Sequence, residues 1–417
     1  MKESICFFFP YYEDSGVPVL FYRLANAIAA SNPDIQVSVI DFENGSMWRN
    51  LIDLPNINKV KFEVNEPVSP PYGSVLIMQS LVPYYWPKEL IIKPDQRLFF
   101  WNLHPHNLIP SLLPLPILRD LVMSNFDFYK IVAKLYPKLL RKLKQFVEVL
   151  LSNNGLYFMD KSNLELTEKY LYLNITNRQF LPVPADFVSK EVNYKGKTQL
   201  NESIKFGWIG RLCDFKSHIL IYAIQCLNKI ASNFEDRKFQ FHIVGSGPME
   251  SYIKREVSKC DSIEIVYHGY LPHKQIDNFL KDVDILFAMG TSALEGAKLG
   301  IPTILLDPIL KKVNDDYVFR MLQDTEEYDL GHFISNKDFI QNNTSLNDLL
   351  VNIFQNYETV SNDVLTYFMS NHHLEKVKDT FLEKIDNTTL TYSKLRADFF
   401  EKPKLLEIYN LVRGLKS

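Results

Sequence analysis

Ile204–Ser217 reads IKFGWIGRLCDFKS, an apolar run that stops at a glycine and is followed at once by two cations, Arg211 and Lys216. A short apolar run closed by glycine is a buried strand passing into a tight turn, and the apolar residues spaced through the next stretch continue it as a helix. The same unit recurs downstream. FQFHIVG, IEIVYHG, DILFAM and IPTILLD are four more short apolar runs, with amphipathic stretches of helical length between them. Strands alternating with helices in this way predict a parallel, doubly wound α/β sheet, whose ligands lie at the carboxyl ends of the strands. Arg211, Lys216 and the Gly-rich turn GSGP at Gly245–Pro248 all follow such ends. Two cations on a strand-to-helix loop suit a diphosphate, because glycine lets the backbone approach the ligand while Arg and Lys supply charge. The competing reading leaves both facing water, as most Lys and Arg do.

Upstream, ICFFFP, then SGVPVLFYRLANAIAA with helical spacing, then QVSVIDF form a second strand–helix–strand unit. SVLIMQS, QRLFFWNL and GLYFMD extend the set of apolar runs. The 417 residues, 46% of them hydrophobic, are too many for one ordinary core and enough for two. The expected division is 1–188 and 204–390 as two Rossmann-like domains, 189–203 as a polar linker, and 391–417 as a terminal helix packing back on the first domain. No internal repeat or low-complexity tract interrupts this pattern.

Composition narrows the partners. A net charge of −3 argues against a surface built for nucleic acid. Four cysteines without C-x-x-C spacing suggest neither a zinc knuckle nor a disulfide framework. The opening MKESICFFFP has too short an apolar run for a secretion signal, and no run of about 18 apolar residues follows. The expected location is therefore cytoplasmic, with at most peripheral attachment to the inner face of a membrane.

MGTSALEGAKLGIPTI, Met289–Ile304, poses the sharpest local question. Ser292 and Glu295 have the S-x-x-E spacing of a capping box. A helix start behind a parallel strand also offers free N–H groups to an anion. Both readings are open from spacing alone.

Taken in order, GRLCDFK, FHIVGSGPMESYI, IEIVYHGYLP and LEGAKLGIPTI resemble the donor domain of glycosyltransferase family 4, whose members are retaining enzymes of the GT-B fold, two Rossmann-like domains facing across a cleft. The resemblance is specific over about residues 204–307. It implies that Arg211 and Lys216 bind a nucleotide diphosphate, that Glu295 takes the ribose hydroxyls, and that the base lies beside Tyr270 and Leu271. Gly245 and the backbone of Gly290, Thr291 and Ser292 join the expected donor site. One departure stands out: the family's other glutamate, eight positions before Glu295, is here Phe287.

The resemblance further implies an acceptor site in the N-terminal half. FFWNLHPHNLIP puts His104 and His106 at a strand end, where family members direct a histidine toward the reacting sugar, and spacing does not choose between them. Gly16, on the first strand-to-helix turn, stands where the family has a glycine facing the cleft; a plain turn glycine before Pro18 is the alternative. Asp282 and Asp284 form a D-x-D, and Asp315 and Asp316 lie in a polar loop, but neither pair has a third ligand in evidence, so no metal or other cofactor is expected. Tyr129–Phe146 carries Lys130, Lys134, Lys138, Arg141, Lys142 and Lys144 without an acid, within an arc of roughly 160° when drawn as a helix, with Leu135, Leu139, Leu143 and Phe146 mostly opposite and Pro137 as a break. An anionic membrane surface or a lipid diphosphate acceptor is a candidate partner for this stretch, and a solvated helix face is the alternative.

The expected function is thus transfer of a sugar from a nucleotide sugar to a glycan or lipid-linked glycan, in surface polysaccharide or glycoconjugate synthesis. A nucleotide-sugar 2-epimerase and a non-catalytic nucleotide-binding subunit on the same fold are the rivals.

Overall fold

The computed structural model describes residues 4–104, 106–110, 112, 126–185, 200–315, 317–332 and 344–404, without the side chains of His273 and Lys274. The chain divides into two units, residues 1–182 with 377–417 and residues 183–376. Most of the expected linker, Asp316 and the expected terminal helix beyond residue 404 lie outside the described residues.

The first unit is built on six strands, β1 (Ser4–Phe8), β2 (Gln36–Asp41), β3 (Ile57–Lys61), β4 (Val75–Gln79), β5 (Arg97–Asn102) and β6 (Leu156–Phe158). Their order in the sheet is β3-β2-β1-β4-β5-β6, and every pairing is parallel. Helices α1 (Gly16–Ser31), α2 (Ser46–Asn50), α3 (Phe126–Ala133), α4 (Pro137–Ser152) and α5 (Lys161–Leu171) accompany it. Strand residues alternate faces, so Leu98 and Phe100 pack with Leu143, Phe146, Val147 and Leu150 of α4 on one side. Phe7 meets Phe21 of α1 at 5.4 Å on the other.

The second unit repeats the plan with β7 (Ser203–Ile209), β8 (Lys238–Val244), β9 (Glu264–Gly269), β10 (Ile285–Ala288), β11 (Thr303–Leu305) and β12 (Arg320–Met321). The order is β12-β11-β10-β7-β8-β9, parallel throughout except for the antiparallel β11–β12 pair. Its helices are α6 (Asp214–Ile230), α7 (Glu250–Val257), α8 (His273–Leu280), α9 (Thr291–Ala297), α10 (Leu346–Gln355) and α11 (Tyr357–Asn371). Both sheets have the doubly wound order in which the first strand sits beside the fourth, and the crevice at that reversal is where such sheets take ligands. In the second unit the reversal lies between β7 and β10.

One boundary differs from the sequence expectation. The expected second domain, 204–390, includes helix α12 (Leu374–Asn387), yet from Val377 onward this helix groups with the first unit. Phe381 explains this. It is fully buried and its ring lies 5.9 Å from Phe7, 5.3 Å from Phe99 and 6.1 Å from Trp101, so its hydrophobic contact is with the first sheet.

Candidate functional site

The loops after β7 and β8 interlock through their backbones. Gly210 N–H donates to Val244 O at 3.0 Å, Leu212 N–H to Ser246 O at 3.1 Å, and Met249 N–H to Leu212 O at 3.0 Å. Gly245 has φ +142°, and a Cβ there would stand 1.9 Å from Gly210 O, so both conformation and space demand glycine. Local folding then fixes the cations. Cys213 is the N-cap of α6, Lys216 and Ser217 donate their N–H groups to Cys213 O, and Lys216 therefore lies in the first turn. Its Nζ turns back toward the strand end, 3.6 Å from where a Gly210 Cβ would be and 5.8 Å from the Phe215 ring centroid. Burial lowers the Lys216 pKa. Arg211 is exposed, and among the described residues neither cation has a carboxylate partner.

Beside this loop, at the sheet's reversal, β10 runs into α9. Gly290 is the N-cap with φ +61° and ψ −147°, a region closed to other residues, and its N–H donates to Leu330 O at 2.7 Å. Thr291 is exposed and Ser292 half-buried. The capping box is not formed. The helix starts two residues earlier than that reading requires, Ser292 is already helical, and the α9 N-cap receives no side-chain bond. Glu295 instead meets Lys298 Nζ at 2.5 Å, and the same ammonium meets Asp277 of α8 at 2.7 Å. Phe287 sits in β10, fully buried, with its ring 6.0 Å from Phe206 and 5.7 Å from Phe241. It is a core residue of the strand.

Tyr270 is 73% exposed and Leu271 half-buried in the turn between β9 and α8. Asp284 is structural: its carboxylate accepts Lys205 N–H at 2.8 Å and ties the start of β10 to β7. No sequence pattern signals the buried ionic group behind the β10–α9 turn. Arg320 donates to Asp307 at 2.6 and 2.8 Å and to Asp329 at 2.9 Å, while His332 lies 2.9 Å from Asp329 and donates its backbone N–H to Asp307 at 3.0 Å. Burial pushes the Asp329 pKa up, but the His332 hydrogen bond and the Arg320 charge overcome this and bring it to about 2. This network fixes the segment whose Leu330 carbonyl holds Gly290.

In the first unit, His104 and His106 follow β5 as expected, with ring centroids 5.6 Å apart and His106 N–H donating to His104 Nδ1 at 3.2 Å. Loss of hydration lowers the pKa of His104, and burial with the nearby His104 ring lowers that of His106 to about 4. Gly16 is the first residue of α1, and a Cβ on it would meet nothing within 4 Å, so the unit itself does not require glycine there. Asp41, which no motif singled out, closes β2 and accepts N–H groups from Tyr11 at 2.9 Å, Phe42 at 2.8 Å and Met47 at 2.9 Å, fixing the loop after β1.

The basic stretch is indeed broken at Pro137, which opens α4. Its charges are less isolated than the sequence suggested, because Lys130 pairs with Asp127 at 3.3 Å and Lys142 with Glu401 at 2.5 Å. Lys134, Lys138 and Arg141 are exposed. Leu135, placed on the apolar side by periodicity, is 75% exposed because it falls in the break between the helices, and Ile131 is 63% exposed. Among the described residues no helix is long and apolar enough to cross a membrane.

Residues 194–318 match the family model described as glycosyl transferases group 1, the stretch that contains Arg211, Lys216, Gly245 and Glu295. No curated protein matches the chain. Among solved structures, a trehalose-6-phosphate synthase studied with bisubstrate glycomimetics aligns with a TM-score of 0.50 at 9% identity, covering 93% of this chain and 99% of that one. WaaG, a glycosyltransferase involved in lipopolysaccharide biosynthesis, aligns at 0.46 with 10% identity, over 93% and 99%. S. aureus TarM, in complex with fondaparinux, alpha-GlcNAc-glycerol and UDP, aligns at 0.38 with 12% identity over 87% of this chain, and this chain spans 58% of TarM. Identities this low speak to fold alone. The fold is GT-B, with two Rossmann-like units, and the second contains the stretch that matches the group 1 glycosyltransferase model.

Proposed function

We propose that the protein transfers a sugar, with retention of anomeric configuration, from a nucleotide-diphosphate donor to a hydroxyl of a glycan or lipid-linked glycan in the synthesis of a surface polysaccharide or glycoconjugate. The observation that carries this reading is the pair Arg211, on the loop after β7, and Lys216, in the first turn of α6, at the sheet's reversal point beside the β10–α9 turn. Two cations with no carboxylate partner among the described residues, one of them half-buried, would take up charge that develops on a departing diphosphate. In this reading Glu295 accepts the ribose hydroxyls, Tyr270 and Leu271 flank the base, and the first unit, with His104 or His106, serves the acceptor side. Transfer is metal-independent, because the two side chains already supply the neutralising charge. The exposed Lys134, Lys138 and Arg141, with Ile131 and Leu135 beside them, would bring the enzyme to an anionic membrane holding its acceptor.

The test is a panel of uridine, guanosine and adenosine diphosphate sugars, scored first by thermal shift and then by transfer to mixed glycan and lipid-linked acceptors with and without EDTA. The expected result is one stabilising donor class, EDTA-resistant turnover, and a product whose anomeric configuration matches the donor. Interconversion of the donor without acceptor marks a 2-epimerase. Binding with no turnover at all marks a non-catalytic subunit, and no stabilisation by any nucleotide overturns the reading.

A further inference from the structure

Lys298 is 4% exposed, at the carboxyl end of α9, and no motif pointed to it. Its ammonium lies 2.5 Å from Glu295 and 2.7 Å from Asp277. A lysine is rarely so buried unless paired, and this one is paired twice, with carboxylates from two different helices. Burial lowers its pKa, but Glu295 and Asp277 more than offset this and the net direction is up, so the ammonium stays charged. The two acids have different places in the fold. Glu295 is on α9, whose start is the β10 turn, and Asp277 is on α8, which begins two residues after Leu271.

We infer that Lys298 is the positioning residue of the nucleoside site: it fixes the direction of the Glu295 carboxylate and, through Asp277, clips α9 to the helix that carries the Tyr270–Leu271 turn. This rests on the reading of Glu295 as the ribose-binding group. A carboxylate has about four lone-pair sites, so an oxygen held by Lys298 still leaves capacity to accept two ribose hydroxyls. The described ions of the clip are one cation and two carboxylates, a grouping that suits hydroxyl donors better than a phosphate. The clip therefore separates the ribose end of the site from the diphosphate end at Arg211 and Lys216. It also gives Asp277 a role at a distance: without it, Lys298 would be drawn wholly to Glu295 and weaken that carboxylate as an acceptor.

The experiment compares calorimetric affinities for a ribonucleoside diphosphate and its 2′,3′-dideoxy counterpart, using whichever of uridine, guanosine or adenosine diphosphate the wild type binds best. Wild type should favour the ribonucleotide by about tenfold or more, as expected for hydroxyls bonded to a charged acceptor. Lys298→Met and Glu295→Gln should each collapse that ratio toward one, whereas Lys298→Arg should largely restore it. Asp277→Asn, which keeps the lysine paired and guards against misfolding of Lys298→Met, should reduce the ratio without removing it. Equal loss of both ligands in the Lys298 and Asp277 variants, with the ratio kept, would show a merely structural ion group and overturn the inference. A wild type indifferent to the ribose hydroxyls would instead overturn the reading of Glu295 itself.

Discussion

Lys216→Met separates a lysine kept for a ligand from a lysine kept for the fold. In the free protein Lys216 is half-buried, has no carboxylate partner among the described residues, and has its pKa lowered by burial. A lysine whose folded-state pKa lies below its unfolded value weakens the fold while both states are protonated, and that cost lifts as pH rises through the lowered value. Methionine has a similar length and no charge, so Lys216→Met should leave the melting temperature at pH 7 unchanged or raise it, with the gain shrinking in alkaline buffer. Affinity should move the other way. A hydrogen bond to a charged group contributes about 1.5–3 kcal/mol, so the loss for nucleoside diphosphate is about 10- to 150-fold. Nucleoside, which lacks the phosphates, should bind the two proteins alike. Because the phosphate returns the lysine to its charged form, wild-type binding in alkaline buffer should also take up protons, seen as a dependence of calorimetric heat on the buffer's ionisation enthalpy. A drop in melting temperature with unchanged diphosphate affinity refutes the reasoning, because Lys216 would then be supporting the loop.

Arg320→Met leaves the buried carboxylates of Asp307 and Asp329 without their cation, and urea unfolding should show a loss of about 3–5 kcal/mol. Asp329, held at about 2, stabilises the fold above the ordinary aspartate pKa, and this contribution should fade as pH falls from about 4 through about 2, costing about 2 kcal/mol and disappearing in Asp329→Asn. Changing Lys134, Lys138 and Arg141 together to glutamine should cut binding to anionic liposomes, each cation contributing about 1 kcal/mol at low salt; if the wild type does not sediment with them, the patch is a solvated face. His104→Ala and His106→Ala should both fold, and the one that serves the reacting sugar should lose kcat with donor affinity kept.

Much of the second unit is readable because its strands are short, largely apolar runs, with β10 and β11 buried on both faces. IKFGWI, FQFHIV and ILFA are largely apolar runs, and each passes into a loop that opens near a glycine, demanded by backbone conformation at Gly245 and Gly290. The cations followed from the same logic, since a residue two or seven places past such a strand must stand at its carboxyl end. The first unit was harder where the chain leaves local patterning. Phe381 lies far from β1 and β5 in sequence, and nothing in the periodicity of α12 says which sheet its apolar side will meet. Leu135 shows the opposite limit: periodicity drew one helix through Pro137, and the break turned a predicted core position outward.

Glu295 shows where spacing reaches its limit. S-x-x-E describes a capping box only if the serine is the last non-helical residue, and that depends on where the preceding glycine places the turn. Gly290, with its positive φ and its bond to Leu330, starts the helix at Thr291, so the serine falls inside and the glutamate is released from the cap. What then decides its function is charge from elsewhere. Lys298, one turn on, was visible as a residue but not as a partner, since i,i+3 pairs on an exposed helix face are worth little. It becomes decisive only because α9 is buried against α8, which excludes water from the ion group and brings in Asp277. An isolated buried pair would neutralise the glutamate. On the proposed ribose-binding reading the third charge restores it, so that carboxylate depends on an aspartate eighteen residues earlier in the chain.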